Sequence, residues 1–287
     1  MKSLIAMSYS LRIYLHSLIL LVAMLALLSL IGWLLMGPIG IGWFLSASIV
    51  LLVGAVRISP HLILLMRGAK QLSPEESPYL YEIVFHLCKR AGIKNIPTLY
   101  YMPSRLMDVF TTGLNGNTSI ALSYGIVRQL SESELTAVLA HEISHIRNND
   151  LLMMLVAAVI ASLTSFMALA GSILILIYIP LFILTGEVVP WLLLMLLLLA
   201  PTVSALMQFA LSRSREFNAD LVAARLTEDP LSLASALIKI ENQQRSWIKS
   251  IFMTSQHTRI PLLFRSHPLV TDRVNRLKAV AAQMQLS

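Results

Sequence analysis

The stretch that decides the fold is AVLAHEISHIRNNDLLMMLVAAVIASL, residues 137–163. It opens with the pattern HExxH, formed by His141, Glu142 and His145. It then enters a segment, residues 151–186, that contains no Asp, Glu, Lys or Arg. A pattern that can bind a metal ion therefore directly precedes a segment apolar enough to lie in lipid.

The composition indicates an integral membrane protein. Of the 287 residues, 56% are hydrophobic and 13% are charged, whereas soluble domains carry about 25% charged residues. The mean hydropathy is +0.74, and the apolar residues collect in long runs. The net charge of +7 does not indicate a nucleic-acid partner, because the chain has no basic run and no alternation of basic and aromatic residues. We expect contact with a lipid bilayer and none with nucleic acid.

Four segments are long and apolar enough to cross the hydrocarbon core of a bilayer, which is about 30 Å thick. They are residues 18–36, 41–56, 151–179 and 188–211. Pro180 is expected to end the third. The connectors 37–40 and 180–190 contain no Lys or Arg, so the positive-inside rule places them outside the cytoplasm. The segment 57–150 and both termini are then expected to face the cytoplasm.

The chain divides accordingly into four predicted parts. They are an N-terminal arm with the first two spans (1–56), a cytoplasmic α+β segment (57–150), a hairpin of the last two spans (151–211) and a cytoplasmic helical segment (212–287). The expected fold class is a mostly α-helical membrane protein with four transmembrane helices and a cytoplasmic α+β domain. The spans contain no Asp, Glu, Lys or Arg, which argues against a transporter or channel.

Two helix starts are predicted in the segment 57–150. Ser73 with Glu76, and Ser131 with Glu134, have the spacing of a capping box, and Pro74 would occupy the first helical position of the earlier helix. The later of the two helices carries HExxH.

The same segment also predicts a small sheet. PTLYYM (97–102) and TSIALSYG (118–125) are rich in β-branched and aromatic residues, which favour strands. Asn115-Gly116 is a turn dipeptide typical of two-residue hairpins.

The HExxH helix predicts a zinc site. Because His141 and His145 are four residues apart, their side chains lie one above the other on one helical face and can bind one ion. Glu142 flanks this face, where it could accept a proton from water activated by the metal. Zinc in a hydrolase usually has three protein ligands and leaves the fourth position to water, so one more ligand is expected.

The hairpin of the third and fourth spans indicates where that ligand lies. His145 precedes residue 151 by about 9 Å of helix, and Glu216 follows residue 211 by about 7.5 Å. In an antiparallel hairpin Glu216 therefore returns to the height of the histidines, just above the lipid. Asp220 follows one turn later and can accept a hydrogen bond from a ligand imidazole.

Three motifs together resemble the HtpX-type membrane zinc metalloproteases, which are gluzincins related to the type I CAAX prenyl endopeptidases. They are HEISH, then SRSREFNAD (212–220) after the hydrophobic hairpin, and FRSHPLVTDRVNRLKAV (264–280). The resemblance implies a zincin-like metalloprotease domain in a bacterial cytoplasmic membrane. It implies one zinc ion per chain, bound by His141, His145 and Glu216.

The resemblance also implies roles for three further residues. Glu142 would be the general base, while His267 and Arg273 would stabilise the tetrahedral oxyanion and the site around it. The family often has Asn-Ala-Phe-Ala before the hairpin, whereas this chain reads Asp108-Val109-Phe110-Thr111. It also has HPL where HPP is frequent. A family substrate contact is therefore not transferred to Asp108.

The expected function is zinc-dependent endopeptidase activity, and the resemblance implies misfolded or damaged membrane proteins as substrates, as in protein quality control. An extended peptide is expected to pair with the strand that contains Ile120–Ser123. One alternative is a prenyl-protein endopeptidase, which would need a lipid-lined chamber. Another is a non-catalytic scaffold with structural zinc, which would need a fourth protein ligand.

Overall fold

The computed structural model describes residues 2–114, 116–186, 191–251 and 268–285. In these ranges the chain forms nine α-helices and four β-strands. In chain order they are α1 (Lys2–Met36), α2 (Pro38–Met66), β1 (Lys70–Gln71), α3 (Pro78–Ala91), β2 (Thr98–Met102), β3 (Val109–Leu114), β4 (Asn117–Ser123), α4 (Tyr124–Gln129), α5 (Glu132–Arg147), α6 (Asp150–Thr185), α7 (Trp191–Thr227), α8 (Pro230–Ile251) and α9 (Val270–Gln285).

The chain divides into two compact units. The first comprises Met1–Ala55 and Met153–Ser214, and it contains most of the apolar helical sequence. The second comprises Val56–Leu152 and Arg215–Ser287, and it contains the sheet and the HExxH helix.

The four predicted spans are confirmed as helices long and apolar enough to cross a membrane. They correspond to Tyr14–Met36, Pro38–Arg57, Asp150–Thr185 and Trp191–Thr227. The prediction that Pro180 ends the third span is wrong, because α6 continues through it to Thr185. A proline costs a helix one hydrogen bond, but in an apolar segment no water is available to replace the remaining ones, so the helix persists.

The first unit is packed by apolar side chains and by one close helix approach. A Cβ at Gly40 would lie 2.1 Å from the carbonyl oxygen of Gly32, and a Cβ at Gly32 would lie 2.3 Å from the ring of Phe44. The backbones of α1 and α2 can therefore approach only because glycine occupies both positions. Small residues serve this purpose in helix pairs within membranes.

The second unit contains a four-stranded sheet with the order β1-β2-β4-β3. Strand β4 pairs in parallel with β2 and antiparallel with β3. Both edges of β4 are therefore occupied, and the prediction that a peptide pairs along Ile120–Ser123 is wrong. The edge strand on this side of the sheet is β3, Val109–Leu114.

The hairpin between β3 and β4 agrees with the sequence pattern in the part that the structure describes. Leu114 pairs with Asn117, which leaves two residues for the turn, and Gly116 has the positive φ of 84° that such turns require. Asn115, the other turn residue, lies outside the described residues.

The two predicted helix starts have different outcomes. At Ser131 the capping box is confirmed, with both reciprocal hydrogen bonds to Glu134 present. At Ser73 the same pair of hydrogen bonds forms with Glu76, but α3 begins only at Pro78. The reason is local: the residue before a proline is excluded from helical geometry, and Ser77 has φ −146° and ψ 65°.

Helix α5 lies at the centre of the second unit. One continuous core joins it to the sheet and to helices α3, α8 and α9, and it includes Leu139, Ile143, Ile120 and Leu122, all fully buried. Burying such a side chain contributes about 1.5–3 kcal/mol. The core therefore holds the HExxH helix firmly against its neighbours.

Candidate metal centre

The two histidines of α5 point their Nε2 atoms toward each other. His141 and His145 have ring centroids 4.8 Å apart at an interplanar angle of 90°. Their Nε2 atoms are 3.3 Å apart. The spacing of four residues on a helix produces this convergence, as the sequence predicts.

Helix α7 contributes Glu216 to the same place. Its Oε2 lies 3.6 Å from Nε2 of His141, and its Oε1 lies 3.8 Å from Nε2 of His145. One donor atom from each of the three residues lies within 4.8 Å of the others, so the three could hold a metal ion. All three side chains are largely buried.

The outer nitrogens of both rings are bound by carboxylates. Nδ1 of His141 lies 3.0 Å from Oδ1 of Asp220, and Nδ1 of His145 lies 2.9 Å from Oδ2 of Asp150. A neutral imidazole that donates its Nδ1 hydrogen has its lone pair on Nε2, and the carboxylate beside each Nδ1 favours this tautomer. Two nitrogen lone pairs and a carboxylate then converge on one point. This donor set fits zinc, which prefers nitrogen and oxygen ligands of these types.

An arginine pairs with each of these carboxylates. Arg273, from α9, donates through Nε and Nη2 to both oxygens of Asp220, at 2.8 and 2.6 Å. Its Nη1 also lies 3.1 Å from Oε2 of Glu216. Arg215 donates from Nη1 to Oδ1 of Asp150 at 3.0 Å and is itself only 1% exposed. Charge-assisted hydrogen bonds of this kind fix the direction in which each carboxylate faces.

Two carboxylates, those of Asp220 and Glu216, lie against the ring of His141. Burial alone would lower the pKa of this imidazole, but the hydrogen bonds with Asp220 and Glu216 raise the pKa to about 10, against the opposing charge of Arg273. The carboxylates that favour a proton on His141 also favour a divalent cation there. Metal binding therefore has to displace that proton.

Glu142 is oriented by the edge strand of the sheet. Oγ1 of Thr111, on β3, donates a hydrogen bond of 2.6 Å to Oε2 of Glu142. Thr111 is 9% exposed and Glu142 is 8% exposed, so this contact is shielded from solvent. The other carboxylate oxygen, Oε1, takes no part in this hydrogen bond.

The structure brings most of the predicted site residues together. Glu142 lies beside the candidate metal ligands, Asp220 contacts His141 as the spacing predicts, and Arg273 contacts Asp220 and Glu216. The guanidinium of Arg273 is directed at these two carboxylates, which is the geometry of a residue that positions the ligands. His267 lies outside the described residues.

Three residues of the site were not found from the sequence. Asp150 follows the end of α5, where Asn149 adopts a φ of 53° and turns the chain back toward His145; a helix-ending Asn pair before an Asp was the available signal. Arg215 gave no sequence signal of burial. Thr111 replaces the last Ala of the family pattern Asn-Ala-Phe-Ala, so the departure that reaches the site is Thr111 and not Asp108.

Asp108 instead forms an exposed ion pair at the start of the edge strand. Its Oδ2 accepts a hydrogen bond of 2.8 Å from Nη1 of Arg67, and the guanidinium of Arg67 lies 5.5 Å from the ring centroid of Phe110.

Known proteins with similar sequences are proteases. The chain is 32% identical to the "Protease HtpX homolog" of Pelotomaculum thermopropionicum over 92% of this chain and 97% of the relative. It is 33% identical to "Protease HtpX" of Legionella pneumophila over 93% and 98%. The homologue from Pyrococcus abyssi is 34% identical over 90% and 93%.

A solved structure shares the fold. The crystal structure of S. mikatae Ste24p superposes with a TM-score of 0.54 at 21% identity, covering 96% of this chain and 65% of that one. A family model described as "Peptidase family M48" matches residues 74–281, a range that contains every candidate ligand named above. The chain therefore belongs to peptidase family M48 as an HtpX-type, multi-pass membrane protease.

Proposed function

We propose that this protein is a zinc endopeptidase whose metal is held by His141, His145 and Glu216. The observation that carries the proposal is the convergence of these three donors beside a buried glutamate, Glu142. When bound, zinc supplies Lewis-acid chemistry that polarises a carbonyl and lowers the pKa of water.

Glu142 acts as the general base in this proposal. Its Oε2 is held by Thr111, so Oε1 accepts a proton from the water that attacks the peptide carbonyl. A bond forms between the water oxygen and the carbonyl carbon, and the carbon–nitrogen bond breaks. The proton on Glu142 then passes to the departing amine, which leaves the carboxylate as it began.

Substrate peptides dock along β3 in this proposal. Ser123 donates its backbone N–H to the carbonyl of Asp108 at 3.0 Å, which marks this pair as hydrogen-bonded across the antiparallel ladder. Because hydrogen-bonded and non-hydrogen-bonded pairs alternate, the backbone groups of Val109, Thr111 and Gly113 point away from β4. These groups are available to an added strand.

We further propose that the protease domain faces the cytoplasm and cleaves misfolded or damaged membrane proteins. The support for orientation is that the connectors 37–40 and 180–190 contain no Lys or Arg. The support for the substrate class is the membrane-spanning part of the same chain. The four parts 1–56, 57–150, 151–211 and 212–287 are then alternately membrane-embedded and cytoplasmic.

The alternatives are weaker. A prenyl-protein endopeptidase is not favoured, since the sequence relatives that cover most of the chain are HtpX proteases. A non-catalytic scaffold would need a closed zinc site with four protein ligands. Among the described residues, the group that could hold a metal consists of three.

The test compares the purified wild type with Glu142→Gln in detergent, measuring casein cleavage and zinc content together. We expect the variant to keep its zinc and lose at least about 100-fold in cleavage rate. Glu132→Gln is the matched control, because Glu132 is exposed in the first turn of the same helix. Cleavage by Glu142→Gln at the wild-type rate, with zinc present, would overturn the assignment of Glu142. Absence of zinc from active wild type would overturn the assignment of the metal.

A further inference from the structure

Thr111 belongs to two parts of the proposed machinery at once. Its side chain holds Glu142, and its backbone lies in the edge strand where a peptide would dock. We propose that Thr111 is a positioning residue that couples the docking of an extended peptide on β3 to the orientation of Glu142. This role rests on the proposed function, and it explains how docking of the substrate would orient the general base.

The side-chain contact is short and shielded. The Thr111 hydroxyl donates to Oε2 of Glu142 at 2.6 Å, between two residues 31 positions apart in the chain. Both belong to the second compact unit. One oxygen of the base is therefore fixed by a strand and not by the helix that carries the base.

The backbone of the same residue faces the free edge of the sheet. In the ladder between β3 and β4, Thr111 pairs with Ile120. The hydrogen bond from Ser123 to Asp108 places Thr111 in a non-hydrogen-bonded pair, since the pair type alternates with every residue. Its N–H and C=O thus point away from β4 and toward any peptide added at that edge.

The short side chain of Thr111 connects these two roles. Its hydroxyl is attached directly to Cβ and occupies one of a few staggered rotamers, so the position of Oγ1 follows the backbone of β3 closely. A peptide that pairs with the N–H and C=O of Thr111 fixes the strand on its second side. The hydroxyl then holds Glu142 with Oε1 directed at the scissile bond, and binding energy along the peptide is used to orient the base.

The neighbouring residue offers a matched control. Thr112 is buried like Thr111, at 7% exposure, and it pairs with Ser119 in the adjacent register position. Successive side chains of a strand point to opposite faces, so Thr112 lies on the face away from Glu142. Replacing either threonine by valine removes one hydroxyl and preserves the shape.

The first experiment measures kcat and KM on a fluorogenic peptide copied from a casein cleavage site. We expect Thr111→Val to lose about 10–100-fold in kcat with KM changed less than about twofold, because a charge-assisted hydrogen bond is removed. Thr111→Ser is expected to restore most of the rate, and Thr112→Val to keep the wild-type kcat. Zinc content should be equal in all variants.

The second experiment tests the coupling itself. A series of the same peptide, N-methylated at one backbone amide at a time, contains the member that cannot donate to the Thr111 carbonyl. With the wild type, this member should show a lower kcat and a higher KM than the unmethylated peptide. With Thr111→Val, it should show only the higher KM. This non-additivity is the signature of coupling, which a merely structural threonine would not produce.

Several results would overturn the inference. They are a wild-type kcat for Thr111→Val, an equal loss for Thr112→Val, no rescue by Thr111→Ser, or strictly additive effects of N-methylation. If Thr111→Val does not fold, Thr111→Ala is measured against Thr111→Ser in its place, with the same expectations. If Glu142→Gln is inactive while the Thr111 variants behave like the wild type, the proposed function stands and the role of Thr111 is rejected. The two failures are therefore distinguishable.

Discussion

Each histidine of the candidate metal centre has its outer nitrogen against an aspartate that is paired with an arginine, and the two Asp–Arg pairs make different contacts. At His141, Arg273 binds both oxygens of Asp220 and also lies 3.1 Å from Glu216. At His145, Arg215 donates at 3.0 Å to Asp150. The Asp220–Arg273 pair thus contacts two candidate ligands, His141 and Glu216. The Asp150–Arg215 pair contacts His145.

The difference indicates what these buried charges are for. A buried ion pair adds little net stability, because desolvation offsets most of the attraction. Both pairs nevertheless place their carboxylate against the outer nitrogen of an imidazole. We infer that their contribution is to fix ring orientation and tautomer, and that the Asp220–Arg273 pair matters more because it also holds Glu216.

The largest effects are expected from removing the arginines. Arg273→Ala and Arg215→Ala each leave buried carboxylates without their cation, which costs about 3–5 kcal/mol and should lower the melting temperature by on the order of 10 °C. Arg273→Ala should also weaken zinc affinity more than Arg215→Ala, since Arg273 binds both oxygens of Asp220 and also lies 3.1 Å from Glu216. Thermal melting and competition with a chelator measure the two quantities.

Equal zinc affinities in the two arginine variants would remove the distinction between the pairs. Arg273→Lys sharpens the test, because lysine keeps the charge but cannot bind both oxygens of Asp220 as a planar guanidinium does. It should recover part of the melting temperature and less of the zinc affinity.

The next effect concerns the carboxylates. Asp220→Asn and Asp150→Asn each remove the charge that holds an Nδ1 hydrogen, and partners of this type are typically worth about 10–100-fold in metal affinity or activity. We expect both variants to fall in this range, measured by zinc titration against a chelating dye. If Asp150→Asn binds zinc as the wild type does, then His145 is oriented by its packing on α5 and not by the Asp150–Arg215 pair.

Sequence spacing was sufficient for the parts of the site that depend on helix geometry alone. His141 and His145 share a face because they are four residues apart, and Asp220 follows Glu216 by the same interval. Glu216 itself required the additional idea that an antiparallel hairpin returns the chain to its starting height. These inferences use fixed distances per residue, which no tertiary contact alters.

The remaining features depend on packing that spacing does not contain. The contact of Arg215 with Asp150 requires the beginning of α6 and the later part of α7 to meet. The identity of the edge strand required the strand order, since Ile120–Ser123 and Val109–Leu114 are both apolar enough to be either central or at the edge. Pro180 does not end α6, because a helix in an apolar segment has no water to replace its hydrogen bonds. The capping box at Ser73 does not start α3, because Ser77 precedes Pro78 and lies outside helical geometry.

A smaller effect is expected at the opposite end of α5, where the buried carboxylate of Glu134 lies in the first turn, away from the candidate metal ligands. Burial alone would raise the pKa of Glu134, but hydrogen bonds from Lys239, Ser235 and the backbone of Ser131 lower it to about 2. A depressed pKa means that the stabilisation is complete above about pH 4.5 and is lost as the pH falls toward 2. Glu134→Gln should therefore reduce the loss of melting temperature between pH 5 and 3.

At pH 7 the same variant should cost about 1 kcal/mol, because Lys239 is 45% exposed and solvent screens its charge. Zinc affinity should remain at the wild-type value, measured in the same titration as for Asp220→Asn. A change in zinc affinity would show that strain at the start of α5 reaches the histidines, and it would weaken the argument that the Asp–Arg pairs act locally.

The smallest effect is expected at an arginine that lies near the site but outside it. The guanidinium of Arg276, on α9, lies 3.8 Å from the ring centroid of Phe217, the neighbour of Glu216. An exposed cation–π contact contributes about 0.5–1 kcal/mol, so Arg276→Ala should lower the melting temperature by a few degrees at most. Its zinc affinity and kcat should be unchanged. Arg273 and Arg276 are one helical turn apart on α9. Comparing their alanine variants therefore separates the effect of a buried arginine that contacts a candidate ligand from the effect of an exposed arginine close by.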